Sequence, residues 1–124
     1  MSNINIECTH SSPSVVFNFE EQKLIITGIC TPENPKLFFA PIIEAFDEYQ
    51  KLHHILTIDI YLDYFNTGSS KCLLNLFLKA SKNPDIKMNT IVNWIIDSDD
   101  SELKEAGEVF QEITGLTFNY LNKN

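Results

Sequence analysis

The 124-residue chain is long enough to bury a substantial hydrophobic core, and its 44% hydrophobic and 21% charged residues are typical of a globular protein. Its 9 basic and 17 acidic residues give a net charge of −8, which disfavours nucleic acid and anionic lipid as partners because both would be repelled.

The cysteines and the N-terminus indicate the cellular compartment. Cys8, Cys30 and Cys72 are widely spaced and form no Cys-x-x-Cys pair, so neither a zinc knuckle nor a dithiol redox motif is indicated. The first residues lack the basic and apolar regions of a secretory signal, and no run approaches the roughly 20 apolar residues of a membrane-spanning helix. The sequence therefore predicts a single cytoplasmic domain over residues 1–124, with reduced thiols and no membrane insertion.

Alternating apolar residues predict three strands in the first thirty residues. A weak edge strand includes Ile4 and Ile6, and a short polar turn joins strands near 15–19 and 23–30 as a hairpin. A stop rich in proline follows at 31–35.

The segment 35–50 has the apolar spacing of an amphipathic helix, with Asn34 as its cap and Pro35 in its first turn. Pro41 lies inside this segment and removes a backbone hydrogen bond, so the regular helix is expected to start late, near Phe38 to Ala40.

The segment 55–65 is the clearest strand. Apolar residues occupy one face, whereas the other face carries Asp59, Tyr61 and Asp63. A strand covered by helices on both sides would be apolar on both faces. The alternation therefore predicts an α/β fold in which a mixed sheet carries about three helices mainly on one face.

Polar residues are concentrated where this strand ends and a helix near 69–82 begins. The stretch Asn66-Thr67-Gly68-Ser69-Ser70-Lys71 offers three hydroxyls at a helix N-terminus, where free N–H groups and the helix dipole favour an anion. One interpretation is a phosphorylation site, with Lys71 about one turn away. The other is that Thr67 or Ser69 simply caps the helix, and the two interpretations are compatible.

The helix near 69–82 is apolar around more than one face, so its surplus surface either packs on a neighbouring helix or remains exposed for docking. Asn83-Pro84-Asp85 ends it. A strand over 88–96, a helix over about 99–114 and a final strand over 116–120 follow, the helix ending at Gly115. Leu103, Ala106, Phe110 and Ile113 are expected to face inward, and Gly107 indicates close approach to another group.

Asp97, Asp99 and Asp100 suggest a divalent cation site, but the glycine and spacing of an EF-hand loop are absent. These acids equally suit a helix N-terminus, where Asp99 and Glu102 fit a capping box. No glycine-rich phosphate loop or nucleophile elbow occurs, and nothing adjacent to Cys72 supplies a general base. The sequence therefore disfavours an enzyme and predicts neither a cofactor nor a metal.

Three ordered blocks of sequence resemble the SiaC family of bacterial regulatory phosphoproteins, which is related in fold to the STAS (SpoIIAA-like) anti-anti-sigma domains. The blocks are Thr31-Pro32-Glu33-Asn34, then Tyr64-Phe65-Asn66-Thr67-Gly68-Ser69-Ser70-Lys71, then Val92-Asn93-Trp94 with Asp99-Asp100 and Glu105-Ala106-Gly107-Glu108-x-Phe110. One departure is Gly68, where the family usually has serine.

The resemblance implies a single STAS-like domain whose switch threonine, carried over onto Thr67, is phosphorylated by a partner kinase and dephosphorylated by a metal-dependent serine/threonine phosphatase. The unmodified form would bind a downstream target, such as a diguanylate cyclase, through the neighbouring residues Asn66, Gly68, Ser69, Ser70 and Lys71. Two alternatives stand beside this interpretation. One is an antagonist of an anti-sigma factor that uses the same switch. The other is a small-ligand or metal-binding domain that uses Asp97, Asp99 and Asp100, named here the Asp97 cluster.

Overall fold

The computed structural model describes residues 3–97 and 99–123, which form six strands and four helices. The strands are β1 (Ile4–Ile6), β2 (Ser14–Asn18), β3 (Lys23–Cys30), β4 (Leu56–Phe65), β5 (Thr90–Ile96) and β6 (Thr117–Asn122). The helices are α1 (Pro35–Leu52), α2 (Thr67–Lys82), α3 (Pro84–Met88) and α4 (Ser101–Thr114).

The strands lie in the sheet in their chain order, which explains the one-sided architecture. β1, β2 and β3 pair antiparallel, and β3, β4, β5 and β6 pair parallel, with a helical crossover before each of the last three strands. Such crossovers are almost always right-handed. Because each one steps to the next strand in the same direction, all the helices are placed on the same face of the sheet.

Burial along β4 follows the alternation of its sequence. Leu56, Ile58, Ile60 and Leu62 are buried under the helices, Asp59 and Tyr61 are half-buried, and Asp63 is exposed. On the open face Asp59 pairs with Lys23 at 3.5 Å and accepts a hydrogen bond from the side-chain amide of Asn93 at 2.8 Å. The prediction of a mixed sheet with helices mainly on one face is confirmed.

Between the sheet and the helices lies one cluster of apolar side chains, which includes aromatic residues from both layers. Trp94 of β5 packs against Phe110 of α4, with ring centroids 5.6 Å apart, and Phe110 contacts Phe77 of α2 at 5.4 Å. This shared core holds α2 and α4 against the sheet, with α4 over β5 and β6.

Two expectations about the helices were wrong, and one short helix was not predicted. α1 begins at Pro35 rather than near Phe38, because Asn34 caps it and Pro41 lies on its exposed side, where water can hydrate the carbonyl that lacks a donor. The short helix α3 was not predicted. Ile113 is 54% exposed, because Thr114 occupies the inward position and donates its hydroxyl to the carbonyl of Phe110 at 2.7 Å.

Within residues 3–97 and 99–123, no helix combines the length and the apolar character needed to cross a membrane.

Candidate functional site

The candidate site lies where two neighbouring parallel strands end and two helices begin. Cys30 at the end of β3 pairs in register with Phe65 at the end of β4. The N–H of Asn66 then donates to the carbonyl of Cys30 at 3.2 Å, which ties the start of α2 to the preceding strand. Because β3 leads into α1 and β4 leads into α2, the N-termini of both helices meet at this edge of the sheet.

Asn66, rather than Thr67 or Ser69, caps α2. Its backbone is extended, its side-chain oxygen accepts a hydrogen bond from the N–H of Ser69 at 2.9 Å, and its carbonyl accepts from the N–H of Ser70 at 2.9 Å. The expectation that Thr67 or Ser69 caps the helix was therefore wrong. Thr67 becomes the first helical residue, and its hydroxyl is left free of a capping role.

The three hydroxyls of this turn differ in accessibility. Thr67 is exposed, Ser70 is half-buried, and Ser69 is fully buried. The hydroxyl oxygen of Ser69 has no hydrogen-bond partner among the described residues. An enzyme can therefore reach Thr67 in the folded protein, whereas Ser69 is accessible only if the first turn of α2 opens.

Gly68 marks a close contact between the two helix starts. A Cβ atom at position 68 would lie 2.9 Å from Cγ of Pro35 in the first turn of α1. A serine at this position needs the start of α1 to move away by several tenths of an ångström. In this chain, glycine at position 68 therefore allows Pro35 to pack closely against the start of α2.

Lys71 lies one helical turn after Thr67 and is exposed. It takes part in no ion pair in the described part of the chain. Residues four apart on a helix lie next to each other on its surface, so the lysine side chain can approach a group carried by Thr67.

Cys30 and Cys72 lie beneath the turn as buried thiols. Burial raises the pKa of Cys30 above its usual value. The neighbouring Ser69 side chain lowers this pKa by a smaller amount, but its hydroxyl forms no hydrogen bond of acceptable geometry with the Cys30 thiol. Burial also raises the pKa of Cys72, and the charge of Lys36 offsets this only in part. Both thiols therefore stay protonated near neutral pH and are poor nucleophiles.

The Asp97 cluster has structural roles. Asp100, not the expected Asp99, caps α4 by accepting a hydrogen bond from the N–H of Leu103 at 3.0 Å, while Asp97 accepts from the hydroxyl of Tyr61 at 2.9 Å. Ser98, within this cluster, lies outside the described residues. Across 3–97 and 99–123, no three His, Cys, Asp or Glu side chains are grouped to hold a metal ion, so the metal-binding alternative gains no support.

Residues 66–71 thus form the cap and the start of α2. The structure adds two residues to this site that the sequence did not indicate. Pro35 packs on Gly68, and the carbonyl of Cys30 anchors Asn66. The pairing of adjacent parallel strands was the available indication, since it places the ends of β3 and β4 side by side.

Comparison with known proteins gives a consistent result. The family model described as SiaC family regulatory phosphoprotein matches residues 6–123. An uncharacterised protein of Pseudomonas aeruginosa strain UCBPP-PA14 is 24% identical over 119 residues, which cover 95% of this chain and 94% of that protein.

The structure of SiaC of Pseudomonas aeruginosa superimposes with a TM-score of 0.86 at 24% identity, covering 97% of this chain and 99% of the other. A chain in the crystal structure of the diguanylate cyclase SiaD in complex with its activator SiaC, from the same organism, gives a TM-score of 0.89 at 22% identity, covering 96% and 98%. These likenesses establish the shared fold. With the family match spanning nearly all of its length, the chain belongs to the SiaC family of regulatory phosphoproteins.

Proposed function

We propose that this protein is a non-enzymatic signalling switch. A partner kinase phosphorylates Thr67, a serine/threonine phosphatase removes the phosphate, and the unphosphorylated form binds and activates a diguanylate cyclase. The observation that carries the proposal is the exposed hydroxyl of Thr67 at the first position of α2, which Asn66 leaves free by capping the helix itself.

The surroundings of Thr67 suit a phosphate group. Among the described residues, the backbone N–H groups of Thr67 and Gly68 have no hydrogen-bond acceptor, and the helix dipole places positive potential at this end of α2. A phosphothreonine carries about −1.5 to −2 charges at pH 7 and favours N–H or cationic partners. Lys71, one turn along the helix, supplies the nearby cation.

The same group opposes docking of a partner on this turn. A protein surface that packs against the start of α2 has to remove water from whatever Thr67 carries. For a hydroxyl this costs little, whereas a dianion buried without a matched positive charge is strongly unfavourable. Phosphorylation therefore blocks binding locally, without refolding the domain.

The choice of target rests on the solved relative. In Pseudomonas aeruginosa, the chain that superimposes with a TM-score of 0.89 is the activator of a diguanylate cyclase and is seen in complex with it. We extend this to the present chain as a proposal, and we place the protein in the cytoplasm, since its three free cysteines, two of them buried, suit a reducing compartment.

The first experiment tests the phosphorylation site. The purified protein is incubated with the kinase of its own cell and ATP, and its intact mass is measured. One added phosphate is expected for wild type and for Ser70→Ala, and none for Thr67→Ala. Phosphorylation of Thr67→Ala at Ser69 or Ser70 would show that another hydroxyl is the switch.

The second experiment tests the output. Synthesis of cyclic di-GMP by the diguanylate cyclase of the same cell is measured with wild-type protein, phosphorylated protein and Thr67→Ala. Wild type and Thr67→Ala should activate the cyclase, and the phosphorylated form should not. If none of the three forms changes the rate of cyclic di-GMP synthesis relative to the cyclase alone, the proposed target is refuted.

A further inference from the structure

The charges of the helical layer are unevenly distributed. α2 contains three lysines (Lys71, Lys79 and Lys82) and no acidic residue, a formal charge of +3 in a chain of net charge −8. Its neighbour α4 has four glutamates and one lysine, a charge of −3, and α1 has three acidic residues and two lysines, a charge of −1. No ion pair joins α2 to α4 in the part of the chain that the structure describes. Lys79 pairs with Asp47 of α1 at 3.0 Å, so Lys71 and Lys82 are the lysines of α2 without an ion pair among the described residues.

The exposed residues of α2 form a straight ridge that begins at the switch residue. Thr67, Lys71, Asn75, Leu78 and Lys82 follow one another at intervals of four, four, three and four residues, which aligns them on one face of a helix. All are exposed except Leu78, which is half-buried. A group added to Thr67 therefore lies at the head of a ridge that carries two lysines.

A groove between α1 and α2 runs beside this ridge. It consists of two adjoining depressions of about 340 and 420 Å³ that share Ile43 and Asn75 in their walls. The first reaches Phe39, Ala40 and Cys72, and the second reaches Leu78 and Lys82. Lys79 crosses from α2 to Asp47 of α1 at 3.0 Å within the groove, while Lys36 lines its other end. The groove thus combines apolar side chains with three lysines, Lys36, Lys79 and Lys82, and with one acidic residue, Glu44 of α1.

We propose that this ridge and groove, named here the α2 surface, bind an acidic segment of the target that presents carboxylates beside apolar side chains. The inference rests on the proposed function and identifies the chemistry of its partner. Carboxylates would lie over Lys71 and Lys82, and apolar side chains would enter the groove near Ile43 and Leu78. Such a segment is favoured on the α1 side of the ridge, because the charge of −3 on α4 repels it more strongly than the charge of −1 on α1.

Phosphorylation acts on this surface through charge as well as through desolvation. A phosphate of about −1.5 to −2 charges on Thr67 lowers the charge of α2 from +3 to roughly +1. It also lies next to Lys71 and competes with the partner's carboxylates for that lysine. The switch therefore weakens attraction along the ridge as well as contact at the first turn of the helix.

A nucleic acid is the other polyanion that three lysines could attract, but the remaining surface of the chain opposes it. The net charge of −8 includes four glutamates on the neighbouring helix α4, which repel an extended phosphate backbone. A short acidic segment that lies along the groove avoids these glutamates.

The test compares charge reversals that are equal in number and differ in place. Affinity for the diguanylate cyclase of the proposed function is measured at low and high salt for wild type, for Lys71→Glu with Lys82→Glu, and for the matched control Lys87→Glu with Lys104→Glu on α3 and α4. The ridge variant should lose roughly tenfold or more in affinity at low salt, with a weaker salt dependence, because exposed charge pairs act mainly through steering and are screened by salt. The control should stay within about threefold of wild type.

Equal losses in the two variants, or an unchanged affinity of the ridge variant, would overturn the inference while leaving the proposed function intact. If wild type binds no cyclase, the proposed function fails by itself. The α2 surface is then tested by nuclear magnetic resonance, in which the ¹⁵N-labelled protein is titrated with two synthetic helical peptides. The two peptides have the same apolar residues, and their remaining positions are glutamates in one peptide and lysines in the other. Amide shifts along 71–82 with the glutamate peptide alone support the inference, and their absence, or equal shifts with both peptides, refutes it.

Discussion

The contact between Gly107 and Trp94 yields a prediction in which helix propensity and packing have opposite signs. Gly107 lies in the interior of α4, where alanine would stabilise an isolated helix by about 1 kcal/mol. In the folded protein, however, a Cβ atom at this position would lie 2.7 Å from both Cδ1 and Nε1 of Trp94 and 2.9 Å from Cε2. Three atoms of one rigid indole would therefore have to move together.

The magnitude follows from what that movement disturbs. Trp94 is almost fully buried and contacts Phe65, Phe110 and Phe118, so the indole has little free space. Its Nε1 donates to the carbonyl of Leu103 at 2.7 Å, and displacement of the ring breaks this bond. Overpacking costs about 1–3 kcal/mol and an unpaired buried polar group about 1–3 kcal/mol. After subtraction of the gain in helix propensity of about 1 kcal/mol, Gly107→Ala should destabilise the protein by about 1–5 kcal/mol.

The assay is urea unfolding of wild type and Gly107→Ala, followed by circular dichroism and by the fluorescence of the single tryptophan. The matched background is Trp94→Phe, whose smaller ring leaves space at position 107. In that background, which has no tryptophan and is followed by circular dichroism alone, the cost of Gly107→Ala should fall well below its cost in wild type. An unchanged or increased stability of Gly107→Ala in the wild-type background would refute the reasoning.

Two further predictions concern buried polar groups. Ser69→Ala should stabilise the protein by about 1 kcal/mol, because it removes a buried hydroxyl that has no hydrogen-bond partner among residues 3–97 and 99–123, and it should leave phosphorylation unchanged. A loss of stability in urea unfolding would show that the hydroxyl is paired in solution. Burial raises the pKa of Tyr49 from 10.0 to about 12, so the unfolded chain loses this proton first. The free energy of unfolding should thus be unaffected by this group below pH 10 and should fall as the pH rises from 10 towards 12. The fall should be larger in wild type than in Tyr49→Phe, because the variant lacks the ionisable group, together with its hydrogen bond to the carbonyl of Ile55. Equal slopes of unfolding free energy against pH in the two proteins would contradict this assignment.

The sequence determined the elements whose patterns are local. The alternation along 56–65 was sufficient to predict both the strand and the single helical layer, because a strand with aspartates on one face cannot be covered on both sides at low cost. Asn34 and Pro35 were recognised as a helix cap and first turn, although Pro41 led to the wrong expectation that the regular helix α1 starts near Phe38. Gly115, with a φ of 73°, marked the end of α4. The polar turn at 66–71 was likewise recognisable, since it joins two strongly apolar segments.

The tertiary structure decided which polar residue does what within that turn. Asn66, Thr67 and Ser69 are all acceptable caps by residue type, and the choice of Asn66 follows from the bond between its N–H and the carbonyl of Cys30, which depends on the pairing of β3 with β4. The same placement buries Ser69 and leaves Thr67 in solvent. Side-chain chemistry alone does not distinguish these hydroxyls.

Contacts between residues far apart in the chain were also beyond the sequence. Pro35 against Gly68 and Trp94 against Gly107 each depend on how a helix lies on its neighbours, and periodicity indicates only that a glycine sits in a helix. The inward face of α4 was misjudged at Ile113 for the same reason: a helical repeat fixes which residues share a stripe, whereas the packing of Phe110 on Trp94 and Phe77 fixes how that stripe is rotated. The sequence by itself therefore determined the order and type of every element except α3, together with the turn that carries Thr67, and only the packed sheet and helices decided which hydroxyl of that turn faces solvent.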